Sequence, residues 1–374
     1  MLTTRATTDL VVNARHLTGP KTGIEVYIEQ LIQALARTGE VNITAVTWSP
    51  LALDLPGVRE VIPARRPQLT GLAAVVWKLW FDQWQAFRAA APSSGALYHG
   101  MDGFLPYSLR SRDRSVVTVH DLGWHLHPAL FDRRVRLMYR ALFPWVRRRA
   151  DRFIAVSRYT ADDLMRWAGV PSSKIEVIYH GLDPVFTSRV EPRAVPTSSP
   201  YLLAMGGISP ARKNTRRLIA AFDRWRSRGG HRTEFRLLLT GVALDRDLFQ
   251  GQPIPAGVSW IGYVDKAELP QLYAGASAFL YPGIYEGFGL PIIESMACST
   301  PVMTSRTGAC PEIAAGAAIL VDPYDIDSMV AGIEQVTKPE EADRLRALGR
   351  ERIRMFDWSS AAAATLDVYR QLTN

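Results

Sequence analysis

The sequence predicts an α/β protein made of two doubly wound domains, and three observations carry that expectation. Short runs rich in Val, Ile and Leu alternate with helical periodicity along the chain, as expected for parallel sheets covered by helices. With 374 residues the chain is too long for one ordinary core. Near its middle, residues 187–199 (TSRVEPRAVPTSS) are rich in Pro, Ser and Thr and read as a linker. The expected division is residues 1–186, a linker at 187–199, residues 200–355 and a last helical segment at 356–374.

Residues 9–15 (DLVVNAR) read as the first strand. A loop with Gly19 and Gly23 follows, then a helix with Ile24, Tyr27, Ile28, Leu31, Ile32 and Leu35 at helical spacing. Strand, glycine loop and helix form a nucleotide-type opening. The G-x-G-x-x-G spacing is absent, so no dinucleotide site is expected, and an ordinary βα turn remains the plain alternative. Residues 41–48 form a second strand, and the prolines of 50–70 suggest a loop. Residues 71–91 read as a helix with Trp77, Trp80, Phe81, Trp84 and Phe87 along one side. A core-facing stripe is expected, with an interfacial helix as the alternative. Residues 97–99 and 116–120 are short strands.

The second of these ends in His120-Asp121. Ligands gather at the C-terminal edge of parallel strands, which makes His120 a candidate beside the reading of a packed histidine. His125 and His127 are two apart with no further ligand clustered in sequence, so loop contacts are expected rather than a metal site. The segment 133–152 is helical and carries eight arginines among Leu137, Met138, Leu142, Phe143, Trp145 and Val146, with a bend expected at Pro144. It is either a solvated charged face or a patch for anionic lipid. Strands at 151–156 and 174–179 flank a helix that Ser157 is placed to cap.

The second half opens with a strand at 201–205 and a Gly206-Gly207 loop. Arg212 and Lys213 come just before a helix that Asn214 or Thr215 would cap. Cations and glycine backbone at a helix start suit a diphosphate, although charge on a surface turn is the plain alternative. Strands follow at 235–240 and 258–263. The apolar run 276–281 then leads into PGIYEGFGLPIIESMACSTP, which holds Glu286, Gly287, Phe288, Gly289, Leu290 and Glu294. Pro291 suits the start of a helix, with Glu294 expected in its first turn. Loop amides would hold phosphate while the carboxylates accept hydroxyls, a combination a sugar nucleotide matches. Pro301–Ser305 is a further strand, Asp325 or Asp327 caps a helix, and a last helix lies near 358–372.

Glu286-GFGLPII-Glu294 resembles the E-x7-E signature of the retaining glycosyltransferases of family 4. VVTVHDLGWHLHP resembles their HD segment, IEVIYHGLDPVF the end of their first domain, and Gly207 to Asn214 their G-x-x-x-x-R-K-N loop. Many members place the arginine directly after the glycine, where this chain has Ile208, which makes the role of Lys213 firmer than that of Arg212. SRTGACPEIAAGAAILVDPYD resembles the segment after the second glutamate, so the likeness covers nearly the whole chain.

That resemblance implies the GT-B fold: two Rossmann-like domains facing a cleft, with the C-terminal helix crossing back to the first. It implies a retaining, metal-independent transfer of a sugar from a nucleotide donor, with no cofactor beyond that donor. By the same resemblance Arg212 and Lys213 neutralise the leaving diphosphate, and Glu286 and Glu294 bind sugar and ribose hydroxyls. His120 reaches the donor sugar, and Gly19, Gly23, Gly207, Phe288, Gly289 and Leu290 line the donor. GDP-mannose is the expected donor and a UDP-hexose the runner-up. The acceptor is a glycan or a polyprenyl-diphosphate-linked glycan of a surface polysaccharide. A sugar-nucleotide epimerase, a glycoside hydrolase and a catalytically inactive membrane-surface module are the competing readings.

Composition narrows the classes. The net charge is +8, which fits a phosphorylated ligand or an anionic surface. No nucleic-acid module is recognisable, so nucleic acid is not an expected partner. The first residues show no apolar signal core before Asp9 and no run approaches a membrane span, which predicts a cytoplasmic protein, peripheral at most. Cys298 and Cys310 allow one bridge at most and read as packing residues.

Overall fold

A computed structural model describes residues 8–18, 23–51, 55–64, 67–91, 95–187, 199–206, 211–241 and 254–373. Gly19, Gly207 and most of the expected linker lie outside these described residues. The strands are β1 (Thr8–Asn13), β2 (Val41–Val46), β3 (Val58–Val61), β4 (Leu97–Gly100), β5 (Arg114–Val119), β6 (Arg152–Ala155) and β7 (Ile175–Val177) in one sheet. In the other they are β8 (Tyr201–Met205), β9 (Arg236–Thr240), β10 (Val258–Gly262), β11 (Ala278–Tyr281), β12 (Val302–Ser305) and β13 (Ile319–Val321). Every described pairing is parallel.

The sheet orders explain where a ligand belongs. The first is β3-β2-β1-β4-β5-β6-β7 and the second β10-β9-β8-β11-β12-β13. Each reverses direction once, between β1 and β4 and between β8 and β11. Loops leaving two strands on either side of a reversal run apart and open a crevice at the C-terminal edge. Central strands such as β11 and β12 are buried at every position, which is why they read as continuous apolar runs.

The chain divides into two units, Met1–Leu122 with Arg134–Gly181 and Asp357–Asn374, and Gly123–Arg133 with Leu182–Phe356. The core of the first joins Leu10 and Val12 of β1 to Ile28 and Leu31 of the helix Gly23–Thr38, and to Trp358 and Leu366 of the helix Trp358–Thr373. Each such buried side chain contributes about 1.5–3 kcal/mol. The core of the second packs Phe222 and Trp225 of the helix Thr215–Arg226 and Met329 and Ile333 of the helix Ile326–Val336 on its sheet.

The structure departs from expectation in several places. β3 lies within the proline-rich stretch read as loop; it is a half-exposed edge strand, so it lacks the apolar run that marks a central one. β13 and the helix Pro339–Arg352 were not anticipated; that helix buries Ala342, Leu345 and Gly349 on a stripe too narrow to stand out. Gly123–Arg133 groups with the second unit, because the Gly123 backbone and the His127 ring pack on Tyr285 and Phe131 lies under the Arg212 guanidinium. The aromatics of 71–91 do not share one side. A π-turn at Phe81–Gln85 rotates the helix, burying Phe81 and Phe87 and leaving Trp80 44% and Trp84 48% exposed. Ser157 caps as expected, accepting from the Thr160 amide at 3.0 Å, and Asp325 rather than Asp327 caps its helix.

Candidate active site

In the second unit the reversal between β8 and β11 brings two loops together. Arg212 and Lys213 sit in a turn closed by the Asn214 amide, which donates to the Ala211 carbonyl at 3.2 Å. Asn214 occupies the position before the helix in left-handed conformation (φ 60°), but its side chain makes no capping bond. Instead Nδ2 donates to the Pro323 carbonyl at 2.6 Å and Oδ1 accepts from Arg217. The expected cap is thus a clamp that fixes the turn carrying Lys213. The Ile284 amide donates to the Arg212 carbonyl at 2.9 Å and ties this turn to the loop after β11.

Three of the predicted charges converge there. Lys213 Nζ donates to Glu286 Oε1 at 2.9 Å and also to the Tyr281 hydroxyl, while Arg212 NH2 stands 3.6 Å from Oε2. Burial alone would raise the Glu286 carboxyl, but the two cations outweigh it and hold it below its ordinary value. Burial, with Arg212 beside it, pushes the Lys213 ammonium down despite Glu286. Two glycines permit the fold of this loop. A side chain at Gly283 would stand 3.0 Å from Glu286 Oε1, and one at Gly308 (φ +63°) would meet the Glu286 carbonyl at 2.8 Å.

Gly289 (φ +100°) precedes the helix Leu290–Ala297, with Pro291 at its second position. Glu294 therefore sits in the second turn and not the first, because the helix starts one residue before its proline. It is buried, Tyr273 donates to its Oε2 at 3.3 Å, and burial pushes its pKa up to about 7. The side chains of Phe288 and Leu290 are also buried, Phe288 edge-on to Phe356, so these residues can address a ligand only through backbone. Gly23 is exposed at the first position of its helix.

In the first unit His120 follows β5. Its Nε2 lies 2.8 Å from the Met101 carbonyl, which only accepts, so Nε2 carries the proton. Burial lowers the pKa of the ring, leaving Nδ1 as a hydrogen-bond acceptor. His125 is exposed and His127 packs on Tyr285. Among the described residues no three His, Cys, Asp or Glu side chains gather as a metal site.

The reversal between β1 and β4 holds a cluster that sequence reasoning missed. Arg15 pairs with Asp82 and stands 3.4 Å from Asp102, and His16 lies 2.9 Å from Asp102 and 3.4 Å from Glu25. Burial would lower His16, but bonds to the two carboxylates win and raise it, while Asp102 is held down to about 2. Tyr273, Tyr281, Gly283 and Gly308 were missed as site residues too. The tyrosines stand among apolar residues and announce nothing; Tyr281 is revealed by its place at the C-terminal end of β11, and Tyr273, in the helix Leu269–Ala274, by its bond to Glu294.

Comparison with known proteins settles the family. Residues 21–186 match the family model described as Glycosyltransferase Family 4, and residues 187–352 the model described as Glycosyl transferases group 1. The chain belongs to the family 4 glycosyltransferases. This glycosyltransferase is 27% identical to the O-antigen chain mannosyltransferase B of Escherichia coli, over 94% of this chain and 97% of that one. It shares its fold with the sucrose-phosphate synthase of Thermosynechococcus elongatus (TM-score 0.77, 23% identity, 98% of this chain and 99% of that one). The same fold occurs in Anabaena HepE solved with UDP and glucose (TM-score 0.68, 17% identity, 98% of this chain and 100% of that one).

Proposed function

We propose that this glycosyltransferase moves a hexose, with retention and without a metal ion, from a nucleotide sugar to a glycan or lipid-linked acceptor of a surface polysaccharide. One observation carries the reading: Lys213 and Arg212 close on Glu286 at the reversal of the second sheet, beside the glycine loop that starts the Glu294 helix. Lys213 and Arg212 stabilise the charge that grows on the leaving diphosphate, the kind of interaction that contributes most to such a reaction. Backbone amides of Phe288, Gly289 and Leu290, with the loops of Gly19, Gly23 and Gly207, assist in holding the donor. Glu286, kept ionised by its cations, accepts sugar hydroxyls, and Glu294 accepts ribose hydroxyls. His120 offers Nδ1 to a hydroxyl of the donor sugar. The leaving phosphate takes the acceptor proton.

Mannose from GDP-mannose is the favoured donor, because the E. coli relative is an O-antigen mannosyltransferase that aligns along nearly its whole length. A UDP-hexose is the runner-up, supported by UDP and glucose in a protein of this fold. Glycosyl transfer as the family's reaction leaves the epimerase, hydrolase and inactive-module readings without support.

A lipid-linked acceptor suits a protein that works at a membrane surface from the cytoplasmic side. No described helix is long and apolar enough to cross a membrane. The helix Arg133–Arg149 runs through Pro144 and exposes Arg134, Arg140, Arg147 and Arg148 around Leu137, itself 69% exposed. Arg147, Arg149 and Arg152 also donate to backbone carbonyls of their own unit, so the part of the basic segment that faces anionic lipid centres on Arg134, Arg140 and Arg148.

A thermal-shift panel of GDP, UDP, ADP and their sugar conjugates, with and without chelator, tests the reading. Strong stabilisation by one conjugate, unchanged by chelator, is expected. A shift that chelator removes would overturn the metal-independent reading. No shift with any conjugate would overturn the donor site.

A further inference from the structure

Within the first unit, His120 is enclosed by rings that lead back to the last helix of the chain. The Tyr27 ring meets His120 edge-on, with centroids 4.9 Å apart and planes at 84°. The Tyr27 hydroxyl lies 2.7 Å from Thr118 Oγ1, and Thr118 stands in β5 two residues before His120. Thr118 Oγ1 lies 2.8 Å from His99 Nε2, and His99 Nδ1 lies 2.6 Å from the hydroxyl of Tyr369 in the helix Trp358–Thr373. Tyr27, Thr118, His99 and Tyr369 are all buried.

A second path runs beside the first. His180 lies 4.8 Å from Tyr27 and 5.7 Å from His120 between ring centroids, and it stacks on Trp358 at 5.9 Å and 20°. Gly181 allows this approach, since any side chain there would collide with Trp358.

A neutral imidazole has one N–H. Burial pushes His99 down to about 3, so it stays neutral and donates in one direction only. His99 therefore donates one of its two bonds and accepts the other, and removing the hydroxyl of either partner leaves a buried ring nitrogen to find another. Packing alone would not need this: a phenylalanine at either end would fill the space without the hydroxyl.

We propose that Tyr27, Thr118, His99 and Tyr369 are positioning residues that hold the ring of His120 in the orientation in which Nδ1, left free to accept by the Nε2 bond to the Met101 carbonyl, meets the donor sugar. The inference rests on the reading of His120 as a donor-sugar contact. The relay makes the docked C-terminal helix a part of the donor site, although none of its residues needs to touch the donor.

The test uses the full chain with Tyr27→Phe, Tyr369→Phe, Thr118→Val and Thr118→Ser, alongside His120→Ala. Steady-state kinetics use the nucleotide sugar that most stabilises the wild type, and side-chain ¹H and ¹⁵N shifts report the surroundings of the His120 ring. The two phenylalanine variants and Thr118→Val are expected to lose about tenfold in kcat with little change in donor KM, as misorientation costs more than binding. In the same variants the His120 ring signals move from their wild-type positions as the Tyr27 ring shifts against them, and Thr118→Ser restores both kcat and signals. Three separate interruptions keep the test open where one variant does not fold. Wild-type kcat and His120 signals in the folded interruptions overturn the proposal. So does a loss of kcat with unchanged His120 signals, which is what general destabilisation gives. If His120→Ala keeps wild-type turnover, the failure belongs to the role of His120 itself; if it loses turnover while the relay variants do not, only the relay fails.

Discussion

Lys213 and Glu286 are 73 positions apart in the chain and meet at 2.9 Å, one from the loop after β8 and the other from the loop after β11. The reversal of the sheet makes that meeting possible, and it ties the cation proposed to meet phosphate to the carboxylate proposed to meet the sugar.

Lys213→Ala should lower kcat about 10²–10³-fold, the usual cost of removing one charge stabiliser from such a site. Donor affinity should fall less, because Arg212 and the loop remain. Circular dichroism should show an intact fold. Turnover within a few-fold of wild type would place the leaving-group contact elsewhere.

Glu294 titrates near neutrality, and its sign can be followed. With a folded pKa of about 7, well above the ordinary carboxyl value, the folded state keeps a proton that the unfolded chain releases. Stability of the unliganded protein therefore declines as pH rises from the ordinary carboxyl range through about 7, by roughly 3 kcal/mol in all. Glu294→Gln should remove that decline and melt higher than wild type at pH 8. The ionised carboxylate is the better acceptor for ribose hydroxyls, so nucleotide-sugar affinity should rise over the same range and lose that rise in the variant. Calorimetric Kd values from pH 5.5 to 8.5 check this; parallel pH profiles for the two proteins would refute the ribose contact.

Gly308→Ala places a methyl group against the Glu286 carbonyl at a left-handed backbone position. A cost of about 1–3 kcal/mol is expected from the backbone alone. Movement of Glu286 should lower kcat as well. Denaturant melts and turnover measured together separate the two effects; Gly316→Ala, also left-handed (φ +86°) but with open space around it, is the control that should keep turnover.

Binding to vesicles containing anionic lipid should need the exposed face of Arg133–Arg149. Arg140→Glu with Arg148→Glu should abolish it, Leu137→Ser should weaken it, and raised salt should weaken it for the wild type. Cosedimentation that ignores lipid charge would return this helix to an ordinary solvated face.

The two sheets were legible because parallel strands buried on both sides leave apolar runs, and β5, β8 and β11 are such runs. The edge strand β3 leaves no such mark, and β13 is apolar but only three residues long. Charged site residues were legible by chemical type and spacing: Arg212, Lys213 and Glu286 come together as expected. Their tyrosine partners were not, because Tyr281 bonded to a lysine and a tyrosine packed in the core look alike in a sequence. Position before a helix suggested a cap at Asn214, yet its amide serves the Pro323 carbonyl, a contact between distant segments that local pattern cannot carry.

The helix Trp358–Thr373 belongs to the first unit, while the residues before it belong to the second. A ribosome making this protein therefore releases the second unit's sequence before it supplies the final piece of the first. Until the helix Trp358–Thr373 is made, Ile28 and Leu31 lack Trp358 and Leu366 as partners, and the nascent first unit keeps an open apolar seam. Premature termination anywhere before Asp357 should yield a chain that chaperones hold and proteases clear.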